Sequence, residues 1–357
     1  MKKFRILPLL LLWAGLAAAA WFGPERAVSE AERRPLAQMP AISGEAVLSG
    51  TFMDRFESYS LDQFPLRDGF RQLKSLFHYG VLGQRDVGGI YLTQGYAVKQ
   101  EYPLREDSVA HALDRFRYLY DSYLQDCRVF AAVVPDKGYF LGGGNLQMDY
   151  ERLLDMVRTG MPWAEHIDLA DTLTGQDYYR TDTHWRQERL LPTAQKIADA
   201  LGVRVLEDTA PRELHRSFYG VYYGQAALPM APDSLTILES GILDGCTVYD
   251  YETGKSGPVY DLARAEGRDP YEVFLSGPKS LLTIENPAAD TDRELIVFRD
   301  SFGSALVPLL VRDYARVTLV DIRYVQSPTL GRFLDFRDQD VLFLYSTLVL
   351  NNSNTMK

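Results

Sequence analysis

The sequence predicts an α/β fold on a mostly parallel sheet flanked by helices, and three observations carry that prediction. First, four short runs are apolar at almost every position: Val129-Phe130-Ala131-Ala132-Val133-Val134, Leu295-Ile296-Val297-Phe298, Val317-Thr318-Leu319-Val320 and Val341-Leu342-Phe343-Leu344-Tyr345. Continuous rather than alternating hydrophobicity suits strands covered on both faces, as in a parallel sheet. Second, helix-length segments alternate with these runs, which reads as right-handed crossovers. Third, the 357 residues are 46% hydrophobic and 24% charged. That composition excludes a wholly disordered chain and leaves ample material for a core.

Taken in order, the chain opens with Lys2, Lys3 and Arg5 and an uncharged apolar run, Ile6 to Phe22. A positive start before an apolar segment predicts an export signal. Its 17 residues are just enough to span a bilayer. Ala17 to Ala20 offer small residues for cleavage, whereas Trp21 and Phe22 prolong the apolar stretch and favour an uncleaved anchor. Residues 1–22 are therefore a signal anchor or signal peptide, and either one places the rest of the chain outside the cytoplasm. Residues 23–43, with Pro35, Pro40 and charges over 30–34, read as a juxtamembrane spacer.

Two amphipathic helices are expected next. Val47, Phe52, Phe56 and Tyr59 recur at helical spacing over 44–59, and Phe70, Leu73 and Phe77 do so over 66–79, with a break at Phe64-Pro65. Gly88 to Val98 reads as a hairpin. Helices are expected over 108–123, 186–201 and 303–314. Residues 206–286, rich in turn residues and tyrosines, read as a β-rich insertion capping the sheet edge within one domain, 44–357.

Charge and cysteine content narrow the function. Lys+Arg 38 against Asp+Glu 48 leaves a net charge of −10, which argues against a nucleic-acid-binding surface. Cys127 and Cys246 admit one bridge or two free thiols, and neither a CxxC nor a His-rich cluster points to a metal.

Two motifs carry chemistry. In Tyr178-Tyr179-Arg180-Thr181-Asp182-Thr183-His184-Trp185 a carboxylate lies two positions before an imidazole. That spacing fails on a helix face, but in a loop the aspartate can hold one ring nitrogen and leave the other as a general base. The bland alternative makes Asp182 a helix cap. The second motif, Val297-Phe298-Arg299-Asp300-Ser301-Phe302-Gly303, puts a serine between a buried strand and a helix start. Ligands gather at that sheet edge, and a nucleophile there meets free N–H groups able to stabilise an oxyanion. Its bland alternative is an ordinary N-cap. Together Asp182, His184 and Ser301 make an acyl-transfer triad, with the Ser301 N–H as one oxyanion donor. Arg323 and Tyr324, after the third strand, and Arg180 are candidate substrate-binding residues, each also readable as a structural ion pair or buttress. Lys137 reads as a solvated turn lysine. Tyr219, Tyr222 and Tyr223 read as packing residues that could also stack on sugars.

Asp182-Thr183-His184-Trp185 and the residues before it resemble the signature of the DHHW protein family, itself similar to the SGNH-hydrolase-like proteins of alginate O-acetylation. Arg34 to Pro40, Phe64 to Asp68, Arg299-Asp300-Ser301-Phe302, Val320 to Tyr324 and Leu344 to Thr347 extend the likeness along nearly the whole exported chain. Thr183 stands where the family name has its first histidine. The resemblance implies an SGNH-like fold and O-acetyl transfer to, or removal from, a cell-surface or exopolysaccharide. Asp182, His184 and Ser301 would be catalytic, with an acetyl-Ser301 intermediate and neither cofactor nor metal. It also implies acetyl delivery by a membrane-bound O-acyltransferase partner. The alternative function is a non-catalytic carbohydrate-binding or scaffolding protein. A protease or lipase is disfavoured by the lack of a Gly-x-Ser-x-Gly elbow.

Overall fold

The four apolar runs become neighbouring strands of one eight-stranded sheet in a computed structural model that describes residues 6–29 and 31–357. Lys2, Lys3 and Arg5, which begin the expected export signal, lie outside the described residues, as does Glu30 of the charged spacer. In chain order the sheet strands are β1 (Arg128–Val134), β2 (Glu165–Asp168), β3 (Thr247–Asp250), β4 (Lys255–Gly257), β5 (Leu281–Glu285), β6 (Glu294–Arg299), β7 (Arg316–Val320) and β8 (Asp340–Ser346). Their spatial order is β4-β3-β5-β7-β6-β8-β1-β2.

Residues on these strands alternate between two cores. Phe130, Ala132, Leu295, Val297, Leu342 and Leu344 enter one core, with helix Leu191–Leu201 and the residues after Ser301. Val129, Ala131, Ile296, Phe298, Val341 and Phe343 enter the other, under helices Glu106–Leu119 and Tyr150–Gly160. Period-two side chains with both faces buried are the physical reason the runs carry no polar alternation.

The sheet is parallel in four of its seven strand pairs, as expected, and antiparallel in the other three. Its pairs from β7 through β6, β8 and β1 to β2 are parallel, whereas β4, β3, β5 and β7 pair antiparallel. β3, β4 and β5 come from the region read as a capping insertion, and they extend the sheet. Their ladder bonds cover the edge of β7. Only Ala210–Phe218 and Asp233–Glu239 form a separate hairpin there.

The helix expected over 303–314 is also shorter. Gly303–Leu306 is one α-helical turn, followed by a 3-10 turn over Val307–Leu310. Pro308 offers no N–H to continue the α-helical ladder.

The chain divides into two compact units, one of Met1–Gly88 with Tyr223–Met230 and the other of Gly89–Tyr222 with Ala231–Lys357. The second holds the sheet and hairpin Ile90–Thr93/Tyr96–Lys99. The first carries helices Ile6–Phe22, Gly44–Leu48, Thr51–Asp62 and Arg67–Leu76, then a wider turn at Phe77–Val81. Buried Asp62 ties it together, accepting two bonds from Arg34 at 2.8 and 2.6 Å and one from the Ala37 N–H at 2.9 Å. The Arg34 bond holds the Asp62 carboxyl down to about 2.

No helix among the described residues is long and apolar enough to cross a membrane. The apolar helix Ile6–Phe22 has 17 residues, about 26 Å of rise against a hydrocarbon core of about 30 Å. Cys127 and Cys246 are free thiols, both raised to about 11 by burial.

Candidate active site

Ser301 follows the carboxyl end of β6, a strand in the interior of the sheet, so the turn that carries it is held on both sides. Asp300 organises this turn. One of its carboxylate oxygens accepts the Phe302 N–H at 3.0 Å, and the other accepts the Ser346 N–H at the end of β8 at 2.8 Å. The N–H groups of Gly303 and Ser304 go to the carbonyls of Asp300 and Ser301. Among the described residues, the Ser301 N–H is therefore the unclaimed donor of the turn.

The Asp182 loop is the tip of a small hairpin closed by the bridge between Tyr178 and Trp185. Asp182 Oδ1 accepts both the His184 backbone N–H at 3.1 Å and ring Nδ1 at 2.6 Å. The i,i+2 spacing works because the carboxylate folds back over its own turn. The Val221 N–H, at 2.9 Å, donates to the other oxygen. His184 Nε2 lies 2.8 Å from Ser301 Oγ. The structure thus brings Asp182, His184 and Ser301 into one chain of hydrogen bonds, with Asp182 fully buried and His184 nearly so. Asp182 does not cap the turn that follows it in sequence, whose N-cap is Arg186; the helix N–H it accepts is that of Val221, first residue of helix Val221–Ala226.

The two motifs are joined beneath this chain. Trp185, fully buried, donates from its indole N–H to the Phe302 carbonyl at 3.0 Å. Gln187 donates to the Ala305 carbonyl at 2.8 Å and accepts from the Leu238 N–H at 2.8 Å and the Tyr260 hydroxyl at 3.1 Å.

Several residues of the site carried no sequence signal. The Tyr271 ring lies flat on the His184 imidazole, with centroids 3.9 Å apart and planes within 6°. Asp233 accepts the Arg180 and Thr181 N–H groups, each at 2.8 Å, and the Thr181 hydroxyl at 2.6 Å. Gly220 passes so close that a Cβ there would sit 2.2 Å from Asp182 Cβ. Lone Tyr, Asp and Gly residues 38 to 89 positions from Asp182 share no spacing with it, so nothing but the fold could have found them.

Lys137 is not a solvated turn lysine. It is 2% exposed, its amine donates to the Tyr179 carbonyl at 2.7 Å, and it faces the Tyr222 ring at 5.1 Å. Burial lowers its pKa to about 7, opposed by the charges of Asp182, Asp233 and Asp136.

The other candidates fall outside the hydrogen-bond chain. Arg323 is paired bidentately with buried Asp321 at 2.9 and 2.6 Å, and its guanidinium lies over the Tyr324 ring. Tyr324 is half exposed. The exposed Arg180 lines a shallow pocket with Tyr96, Arg186 and Arg189, while its backbone meets Asp233 and Lys137. Tyr222 is buried and donates to the Thr183 hydroxyl at 3.0 Å; Tyr219 is exposed.

A cleft of about 980 Å³ opens at the amino ends of the parallel strands, away from Ser301. Its arginines are spoken for: Arg128 and Arg293 pair with Asp340, and Arg316 with Glu285 and Glu294. Among the described residues no group of three or more His, Cys, Asp or Glu side chains could hold a metal ion.

Solved structures share this architecture. A DHHW family protein from Eubacterium siraeum DSM 15702 matches with a TM-score of 0.60 at 20% identity, over 76% of this chain and 94% of that one. Bacillus cereus PatB1 with a sulfonyl adduct matches at 0.58 and 18% identity, over 73% and 95%. A second structure of PatB1 matches at 0.55 and 16% identity, over 73% and 96%. The chain is thus a mixed α/β protein with the fold of these proteins, in agreement with the resemblance read from Asp182-Thr183-His184-Trp185. No family model and no curated protein matches the sequence.

Proposed function

We propose that this protein is an extracytoplasmic acyl-transfer enzyme that moves acetyl groups to or from a cell-surface or exopolysaccharide through an acetyl-Ser301 intermediate. One observation carries the reading: the unbroken hydrogen-bond chain from the Asp182 carboxylate through His184 to the Ser301 hydroxyl. A serine hydroxyl is too weak an acid to attack unaided at neutral pH. His184 Nε2 takes its proton as Oγ attacks the acetyl carbonyl, and the Asp182 carboxylate stabilises the imidazolium formed. The Ser301 N–H faces the developing oxyanion. Collapse of the tetrahedral species releases the leaving oxygen, which takes the proton from His184. A sugar hydroxyl or water, deprotonated by His184, then attacks the acetyl-Ser301 carbonyl, and collapse breaks the ester bond to Ser301 Oγ, which takes the proton back from His184. The sugar acceptor makes a transferase and water makes an esterase.

Support also comes from the fold shared with Bacillus cereus PatB1, a protein solved with a sulfonyl adduct. Sulfonyl groups react with activated nucleophiles, the property proposed for Ser301. The polysaccharide, the envelope location and a membrane-bound O-acyltransferase donor follow from the DHHW-like residues and the apolar N-terminus. Exposed Tyr324 and Arg180 are proposed to contact the glycan, with Arg323 setting the Tyr324 ring through its pair with Asp321.

The test incubates the protein with p-nitrophenyl acetate and follows nitrophenolate release and the mass of the Ser301 peptide. The expected result is a gain of one acetyl group on Ser301, with label and turnover both lost in Ser301→Ala. A folded wild-type protein that releases no nitrophenolate and gains no acetyl group would instead favour a carbohydrate-binding or scaffolding role.

A further inference from the structure

The helix Arg67–Leu76 and the turn Phe77–Val81 are amphipathic in the reverse sense from a soluble helix. Leu66, Phe70, Leu73, Phe77 and Val81 recur at spacings that share one face, yet that face is turned to solvent. Leu66 is 76% exposed, Leu73 63% and Val81 69%. The polar side of the helix is packed inward. Buried Arg67 pairs with Glu32 at 2.5 Å and Asp62 at 3.3 Å. Arg71 pairs with Glu32 at 3.2 Å and donates to the Gly224 and Gln225 carbonyls at 3.0 and 3.1 Å. The ion pairs hold the apolar stripe outward, so a soluble surroundings cannot be what the stripe is built to meet.

Two further features of the same unit identify the occupant. Helix Ile6–Phe22 has no charge on any side, and its Leu10, Leu11, Leu12, Trp13, Trp21 and Phe22 are exposed. Two separate apolar surfaces within one unit call for an apolar solvent. Charge points the same way. Residues 1–88 carry 11 Lys and Arg against 9 Asp and Glu, whereas the rest of the chain carries 27 against 39. The acidic part is repelled by an anionic bilayer and the N-terminal part is not.

We infer that helix Arg67–Leu76 and turn Phe77–Val81 lie on a lipid bilayer, with Leu66, Phe70, Leu73, Phe77 and Val81 in its hydrocarbon boundary. Exposed Lys74 sits beside the stripe, where its stem can lie along the acyl boundary and its ammonium reach the headgroups. This deepens the membrane reading above. It adds a second attachment to an apolar helix that falls short of the hydrocarbon thickness, and it does not depend on acyl transfer.

The test places the full chain on vesicles of phosphatidylethanolamine and phosphatidylglycerol containing a photoactivatable phospholipid, and maps the cross-linked peptides by mass spectrometry. Lipid adducts are expected in 66–82 as well as in 6–22. In Leu66→Ser/Phe70→Ser/Leu73→Ser/Phe77→Ser, adducts in 66–82 should fall by about tenfold or more, since each buried apolar side chain contributes about tenfold in partitioning. Those in 6–22 should persist. Adducts confined to 6–22 in the wild type would overturn this inference and leave the apolar N-terminal attachment standing. Adducts in neither segment would overturn both. A stripe protected by a second copy of the chain or by another protein, with no lipid adducts, would also overturn it. The wild-type map decides the question even if the quadruple variant fails to fold.

Discussion

Asp182→Asn probes the site most sharply, because the carboxylate is surrounded entirely by donors. Oδ1 accepts two N–H groups of His184 and Oδ2 accepts one from Val221, all inside a fully buried site. An asparagine amide has one oxygen and one NH2 group, so one orientation or the other must face donor with donor. With the NH2 toward Val221, one buried N–H loses its acceptor, at a cost of about 1–3 kcal/mol in stability. With the NH2 toward His184, two bonds are lost and Nδ1 is forced to accept. Nε2 then carries the proton and can only donate to Ser301. Either way the imidazolium loses its counter-charge. Serine proteases with the corresponding change lose about 10⁴-fold in rate, and a fall of about 10³–10⁴ in kcat/KM is expected here. The assay is nitrophenolate release with thermal melting alongside. A variant that melts as a folded protein and keeps more than a tenth of wild-type kcat/KM would refute the role given to Asp182.

Other outcomes follow from the same geometry. Tyr271→Ala removes the ring stacked on His184, and with it the surface that fixes the imidazole plane. kcat should fall about tenfold to a hundredfold, and unchanged kcat would mean that the ring only fills space. Gly220→Ala drives a methyl group to 2.2 Å from Asp182 Cβ. Loss of about 3 kcal/mol or more in urea unfolding is expected, and wild-type stability would contradict the close approach. Lys137→Met tests a buried amine whose pKa falls from 10.5 to about 7. Between those values the unfolded chain holds a proton that the folded chain lacks, so this group's contribution rises with pH, by at most about 1.4 kcal/mol per unit. It is fully present above 10.5 and lost as the pH falls through about 7. The stability difference between wild type and variant, from urea unfolding at pH 7.5 and 9.5, should therefore shift by about 1–3 kcal/mol in favour of the wild type. No shift would place the amine in a wetter setting.

Strands β1, β6, β7 and β8 were legible residue by residue because burial on both faces leaves no polar alternation. Asp182, His184 and Ser301 were singled out because few chemistries use that set of side chains, and here they share one hydrogen-bond chain. Errors arose where one signal fits two environments. The segment 303–314 has helical composition, but Pro308 interrupts its ladder. The tyrosine-rich region 206–286 looked like a cap, yet Thr247–Asp250 and Leu281–Glu285 found partners in the sheet. Lys137 looked solvated because turn lysines usually are; its burial follows from the Tyr179 carbonyl and the Tyr222 ring, both distant in sequence.

Local chemistry and periodicity thus dictated the buried strands, the apolar N-terminus and the choice of Asp182, His184 and Ser301 as candidates, since each is read from neighbours a few positions away. The sheet's antiparallel half, the Tyr271 stack, the Asp233 anchor and the outward face of helix Arg67–Leu76 were decided only in three dimensions. Each depends on an ion pair, ring contact or ladder between segments tens to hundreds of residues apart, and such contacts leave no pattern along the chain.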